Sequence, residues 1–154
     1  MQSAFRLTKT RYISSALDGL GAARVGGRWN SRGTACVYTS SSLSLATLEL
    51  LVHLDDYEVL RKLYSYIEIE IPENLIEVVD PSHLSSGWDS LTPQAASQSV
   101  GDVWVKEGRS AVLAVPSVVS QGELNYLLNP SHADFKLLKK EPVRFFALDP
   151  RIHP

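Results

Sequence analysis

The apolar positions of this chain fall into short alternating runs, with one long exception. Residues 63–72 (LYSYIEIEIP) alternate strictly: Ile67, Ile69 and Ile71 share one side, and Tyr66, Glu68 and Glu70 the other. A period of two over that length predicts a strand with one core face and one polar face. On this reading the two glutamates belong to a solvated sheet face and are not a catalytic pair. Residues 4–9 (AFRLTK) alternate in the same way, with Phe5 and Leu7 predicted inward and Arg6 outward, unless that outer side walls a cleft. Residues 34–39 (TACVYT), 74–80 (NLIEVVD) and 143–148 (VRFFAL) are shorter runs of strand formers. Residues 111–115 (AVLAV) are apolar at every position, which predicts a strand buried on both faces. A further strand is expected within 118–128.

The exception is 43–54, where Leu43, Leu45, Ala46, Leu48, Leu50, Leu51, Val52 and Leu54 leave almost no polar side. That pattern predicts a helix buried on most sides. Ser40, Ser41 and Ser42 precede it and offer N-cap oxygens or ligand contacts. Glu49 sits in its middle, and a buried carboxylate requires a partner or a task. His53, four residues on, shares its face. A second helix is expected from 93, with Thr92 as cap, Pro93 in the first helical position and Gly101 marking a break or bend. Residues 57–62 read as a polar continuation or turn. The segment 10–30 is Gly-rich and irregular, with a helical turn near 15–17. Many short strands around one or two buried helices, without regular βαβ alternation, make a mixed α+β fold. At 154 residues the expectation is a single domain, 1–154.

Composition narrows the function. The chain is 44% hydrophobic and 21% charged, enough for a real core. Net charge is −2 with no basic run, so a general electrostatic grip on nucleic acid is excluded. An anionic ligand must instead be held by a few placed arginines. The lone Cys36 allows no internal disulfide, fits a reducing cytosol and is expected in the core. No apolar run reaches the roughly 18 residues of a spanning helix, and no leader pattern opens the chain, so a cytoplasmic protein without a membrane segment is expected. His53, His83, His132 and His153 fall in no HxxxH or HxH spacing, so no metal site is expected. GxxxxGK[ST], GxGxxG and GxSxG are absent.

The remaining constellation is arginine, tyrosine and glutamate. Arg28, flanked by Arg24 and Arg32 on a Gly-Gly turn, offers a planar fork for phosphate or carboxylate. Tyr38 offers a flat face and a phenol. Glu49 offers negative charge to a centre that turns positive. Ser117 follows Pro116 at a strand end, where a hydroxyl can face a cleft as a hydrogen-bond donor. Together these suit an anionic nucleotide. The other reading of the same residues is a buried Arg–Glu pair pinning the turn onto the helix.

The strings GGRWNSRG, VYTSSSLSLATLELLVH, VPS and NYLLNPSH, in this order, resemble the RES domain, a family named for an arginine, a glutamate and a serine. The resemblance runs from Phe5 to Phe145. It implies an ADP-ribosyltransferase-like fold, with short strands in two small sheets around buried helices. Arg28, Glu49 and Ser117 match the name-giving residues, Tyr38 the pocket tyrosine and Arg6 an early strand arginine. The family supplies the toxins of RES-Xre type II toxin–antitoxin pairs, so the resemblance implies a growth-inhibiting enzyme that takes NAD+ as substrate and needs no cofactor. Glu49 would stabilise the ribosyl cation, Arg28 and Arg6 would grip phosphate, Tyr38 would orient the nicotinamide end and Ser117 would hydrogen-bond the substrate. Phosphate, water or a protein side chain as acceptor would make it a phosphorylase, a glycohydrolase or an ADP-ribosyltransferase. A non-catalytic binding module of the same fold is the alternative from another class. The implied partner is an Xre-like antitoxin that blocks the active site and leaves no DNA contact to this chain. A homodimer is compatible with the sequence.

Overall fold

The computed structural model describes residues 1–153. In chain order the elements are β1 (Gln2–Lys9), a 3-10 turn (Thr10–Ser15), α1 (Leu20–Val25), β2 (Val37–Ser40), α2 (Leu43–Leu51), α3 (Tyr57–Lys62), β3 (Tyr64–Ile71), β4 (Ile76–Val78), α4 (Ala95–Glu107), β5 (Val112–Pro116), β6 (Leu124–Leu128), β7 (Lys139–Lys140) and β8 (Arg144–Phe146). The strands join in the order β4-β5-β6-β2-β1-β3-β7, with β8 also on β3. All pairs are antiparallel except β4 with β5.

The sheet is continuous, but one junction is thin. β1 pairs with β3 from Gln2↔Ile71 to Lys9↔Tyr64. β1 meets β2 at Phe5↔Ser40 alone. The mixed fold expected from the sequence is present, but its strands form one sheet of two leaves, β1/β3/β7/β8 and β2/β4/β5/β6, where two separate small sheets were expected.

Alternation decides how the leaves close. Ala4, Ile67, Ile69 and Ile71 of the first leaf share one buried cluster with Val37, Val112, Ala114, Tyr126 and Leu128 of the second. Each valine, leucine or isoleucine among them contributes about 1.5–3 kcal/mol when fully buried. The opposite face of the second leaf carries Leu113, Val115 and Leu127 under Trp29 and Trp104. The opposite face of the first carries Leu7 and Tyr64 under Ala46 of α2 and Leu60 of α3. β5 therefore has both faces covered, as its uninterrupted apolar run predicts.

Several expectations are corrected. Arg6 stands opposite Ile67 and so shares the face of Ala4 and the isoleucines, while Phe5 and Leu7 turn toward α2. Both faces of β1 are covered, so alternation could not tell which side is inward. α2 is not wrapped: Leu45, Ala46 and Thr47 are buried, but Leu48 is 44% and Val52 58% exposed. Leu48 and Leu51 line an open groove of about 410 Å³ with Phe146, Leu148 and Ile152. The helix stops at Leu51, and His53 lies beyond it, exposed. α4 starts at Ala95 with Gln94 before it, so Thr92 is not its cap. Gly101 does not break α4, which runs through it; a Cβ there would lie 1.8 Å from the Trp29 carbonyl oxygen, so glycine permits contact. Residues 57–62 are a true helix, with the Asp56 carboxylate accepting from the Glu58 N–H at 2.9 Å.

Other expectations stand. Ser42 caps α2, accepting from the Leu45 N–H at 3.0 Å. On β3 the three isoleucines are buried, and the glutamates have structural partners: Ser3 donates to Glu68 at 2.9 Å, and Lys139 pairs with Glu70 at 3.3 Å. Among the described residues no helix is long and apolar enough to cross a membrane.

Candidate active site

β2 positions the site. Tyr38 and Ser40 are two apart, so they share a face and lie roughly 7 Å from each other. Their cross-strand partners on β6 are Leu127 and Asn125.

At Tyr38 the Gly-rich turn is locked down. The phenol donates to Asn30 Oδ1 at 2.6 Å and accepts from the Trp29 N–H at 3.1 Å. Asn30 is fully buried, and its amide nitrogen donates to the carbonyls of Ala22 (2.9 Å), Ser31 (3.3 Å) and Thr34 (3.1 Å). Gly27 passes so close that a Cβ would lie 2.6 Å from the Tyr38 hydroxyl. Burial raises the phenol's pKa well above its ordinary value, and Cys36 adds to the effect, so Tyr38 stays a neutral donor. The Cys36 thiol is pushed up to about 12, first by burial and then by Asp102. It is a core side chain and no nucleophile at neutral pH.

That lock presents Arg28. Its Nη1 donates to the carbonyls of Trp88 (2.7 Å) and Ser90 (2.8 Å), and the Trp29 and Trp88 rings stand 5.9 Å apart. Nε and Nη2 have no hydrogen bond among the described residues, and no carboxylate pairs with the charge. Arg24 and Arg32 are exposed. Arg6 approaches from β1, its Nε donating to the Ala16 carbonyl at 3.1 Å and its Nη1 reaching the Tyr38 carbonyl at 3.5 Å. The side chain meets that carbonyl where the β1–β2 ladder has stopped. Burial lowers the Arg6 pKa, with Asp18 opposing, but a guanidinium keeps its proton at neutral pH. This charge has no ion pair among the described residues either, an arrangement that favours an anionic ligand.

At Ser40 the same face meets Glu49. The half-buried carboxylate accepts two hydrogen bonds on Oε1, from Ser117 Oγ and from Asn125 Nδ2, both at 2.7 Å. Oε2 has none among the described residues. Ser117 is 5% exposed, just past the end of β5, and its Oγ accepts from the Ser120 N–H at 3.0 Å. The nearby Ser110 is engaged elsewhere, with Trp104 and the Val112 carbonyl. Asn125 Oδ1 in turn accepts from Ser40 Oγ at 2.7 Å.

The alternative of a buried Arg–Glu pair is therefore overturned: neither Arg28, Arg24 nor Arg32 pairs with Glu49. Sequence reasoning brought forward Arg28, Tyr38, Glu49, Ser117 and Arg6. It named Ser40 only among the cap or ligand serines, and it did not single out Asn125 or Asn30. Both lie inside strings that carry the family resemblance, NYLLNPSH and GGRWNSRG, and Asn125 is also a polar residue in the otherwise apolar strand LNYLL. The arrangement separates two uncompensated charges along one strand. It can hold an anionic group at the guanidinium end and offer a carboxylate to a centre gaining positive charge. Among the described residues no three His, Cys, Asp or Glu side chains gather as metal ligands.

Residues 3–149 match the RES domain family. A Prs ADP-ribosylating toxin of Sphingobium sp. (strain YBL2) is 42% identical over 144 residues, covering 92% of this chain and 89% of its own. A protein named Toxin Res from Photorhabdus laumondii is 38% identical over 149 residues, covering 96% and 95%. Another Toxin Res, from Yersinia enterocolitica, is 38% identical over 150 residues, covering 96% and 97%. A crystal structure of the M. tuberculosis MbcT–MbcA toxin–antitoxin complex contains a chain that superposes with a TM-score of 0.77 at 18% identity, covering 97% of this chain and 85% of that one. At that identity the likeness is one of fold.

Proposed function

The chain belongs to the RES domain family, and from that premise we propose that it is the toxin of a toxin–antitoxin pair and acts by cleaving the nicotinamide–ribose bond of NAD+. The observation that carries the reading is the carboxylate of Glu49. It is held by two neutral donors, Ser117 and Asn125, and by no cation. A carboxylate held in that way has no ion-pair partner among the described residues, and a sugar losing its base would supply one.

In the proposed reaction the bond between ribose C1′ and the nicotinamide nitrogen breaks. Its electron pair goes to the ring, which loses its positive charge, and the ribose becomes an oxocarbenium-like cation. Glu49 stabilises that cation through Oε2, the oxygen without a protein partner. Arg28 binds the pyrophosphate through Nε and Nη2, its Nη1 being held by the Trp88 and Ser90 carbonyls. Arg6 adds charge from the seam. Tyr38 contributes its ring, because its hydroxyl is committed to Asn30 and Trp29. Phosphate or water then attacks C1′, giving ADP-ribose 1″-phosphate or ADP-ribose.

The Sphingobium relative's name favours a second reading, in which the ADP-ribosyl group passes to a protein side chain. The partner in either reading is an antitoxin that covers this face, in keeping with the complex in which the structural neighbour was solved.

The test is incubation of the purified protein with NAD+, with and without phosphate, followed by chromatography for nicotinamide and mass measurement of the second product. Free nicotinamide with a phosphate-dependent product mass is expected. Glu49→Gln should lower the rate by about 10²- to 10³-fold without unfolding the protein. Absence of nicotinamide under every condition, including with cell extract as a source of protein acceptors, would overturn the reading.

A further inference from the structure

Glu49 lies at the end of a short hydrogen-bonded chain whose members come from three strands' ends. Ser40 Oγ meets Asn125 Oδ1 at 2.7 Å, Asn125 Nδ2 meets Glu49 Oε1 at 2.7 Å, and Ser117 Oγ reaches the same oxygen at 2.7 Å. A carboxylate only accepts, so the amide must turn its nitrogen toward Glu49 and its oxygen toward Ser40. The Ser40 hydroxyl then has to donate. Ser40 is 4% exposed and register-paired with Asn125, so this orientation is enforced from below by the strand pair itself. Ser117 is anchored separately, through the Ser120 N–H and through its own N–H to the Glu123 carbonyl at 2.9 Å.

We propose that Asn125 is a positioning residue for Glu49: with its amide oriented by Ser40, it fixes Oε1 against the sheet and turns Oε2 toward the substrate. This rests on the reading above that Glu49 acts as an ionised carboxylate. Two donors on one oxygen restrict rotation of the carboxylate. Among the described residues no charged side chain pairs with the group, so the neutral amide and the Ser117 hydroxyl are what orient it. Asn125 touches Glu49 and not the reacting atoms.

Replacing the amide by a carboxylate of the same shape gives the sharpest test. In Asn125→Asp two acidic groups would face each other at hydrogen-bonding distance, where both cannot ionise at once. Their shared proton would persist to higher pH. The acid limb of the pH–rate profile for nicotinamide release should move up by about one unit or more. In Asn125→Ala the donor is lost without a new charge. The limb should move in the same direction by less, with kcat down about 10- to 100-fold and KM within a factor of two. A merely structural asparagine would lower the melting temperature and the active fraction but leave the limb in place. Titration of Glu49 by carbon-13 NMR of glutamate-labelled protein gives the second readout and needs no turnover. If wild type releases no nicotinamide yet Asn125→Asp raises the Glu49 midpoint, the proposed function fails and the positioning role stands. An unmoved Glu49 midpoint in a folded Asn125→Asp or Asn125→Ala protein would overturn the inference.

Discussion

The two leaves of the sheet are built on different plans. The first leaf, around β1 and β3, is long, regular and amphipathic. Its isoleucines close the central core, and its glutamates are tied to Ser3 and Lys139. It gives the site one side chain, Arg6. The second leaf, around β2, β5 and β6, is short and buried on both sides, and its polar residues cluster at strand ends. Tyr38, Ser40, Ser117 and Asn125 all belong there. A strand covered on both faces has no solvated side on which to carry polar groups, so each must find a partner. Here Ser40 is partnered by Asn125, Asn125 and Ser117 by Glu49, and Tyr38 by Asn30 and the Trp29 N–H. On the proposed reading the first leaf mainly supports and the second holds the chemistry.

Substitutions can break or sharpen that division. The largest expected effect lies beneath the second leaf. Gly101→Ala forces a methyl into the Trp29 carbonyl, so α4 and the turn carrying Arg28 cannot both keep their places. Loss of about 3 kcal/mol or more is expected, read as little soluble protein or a collapsed melting curve. Next, in the first leaf, Ile69→Ala empties a fully buried position and should cost about 2–5 kcal/mol in urea unfolding, with turnover per folded molecule near wild type. Ser117→Ala should do the reverse. It removes one of two donors to Glu49 and should slow nicotinamide release about tenfold, equivalent to about 1.4 kcal/mol, while destabilising by about 1 kcal/mol. If Ile69→Ala damaged turnover more than Ser117→Ala, the leaves would not divide the work as described. The smallest effect is expected at Lys139→Ala. It loses exposed pairs to Glu70 and Glu141 and should change stability by less than about 1 kcal/mol, most visibly at low salt.

The same contrast explains what could be read in the chain beforehand. The alternation of β3, the unbroken apolar run of β5 and the Ser42 cap are local signals, and each appears where the pattern put it. Glu49, Arg28, Tyr38 and Ser117 were legible because their residue types suit a charge-separating reaction and because the surrounding strings resemble a family. What stayed hidden depends on partners distant in sequence. Gly101 looks like a helix breaker until Trp29 is seen against it. Arg6 looks outward-facing until both sides of β1 are found covered. α2 looks wrapped because leucines fill its length, yet Leu48 and Val52 reach solvent. Asn125 is 76 residues from the carboxylate it holds, and no spacing rule spans that distance.

The single bridge between Phe5 and Ser40 gives Arg6 two competing claims on its charge. With no neighbouring strand amide to satisfy it, the Tyr38 carbonyl turns to that guanidinium across the gap. An anion arriving there would add a claim on a guanidinium whose Nε and Nη1 are already engaged. If the proposed substrate binds there, its occupancy and the tightness of the seam are coupled through one side chain, and filling the cleft would be felt across the join between the leaves.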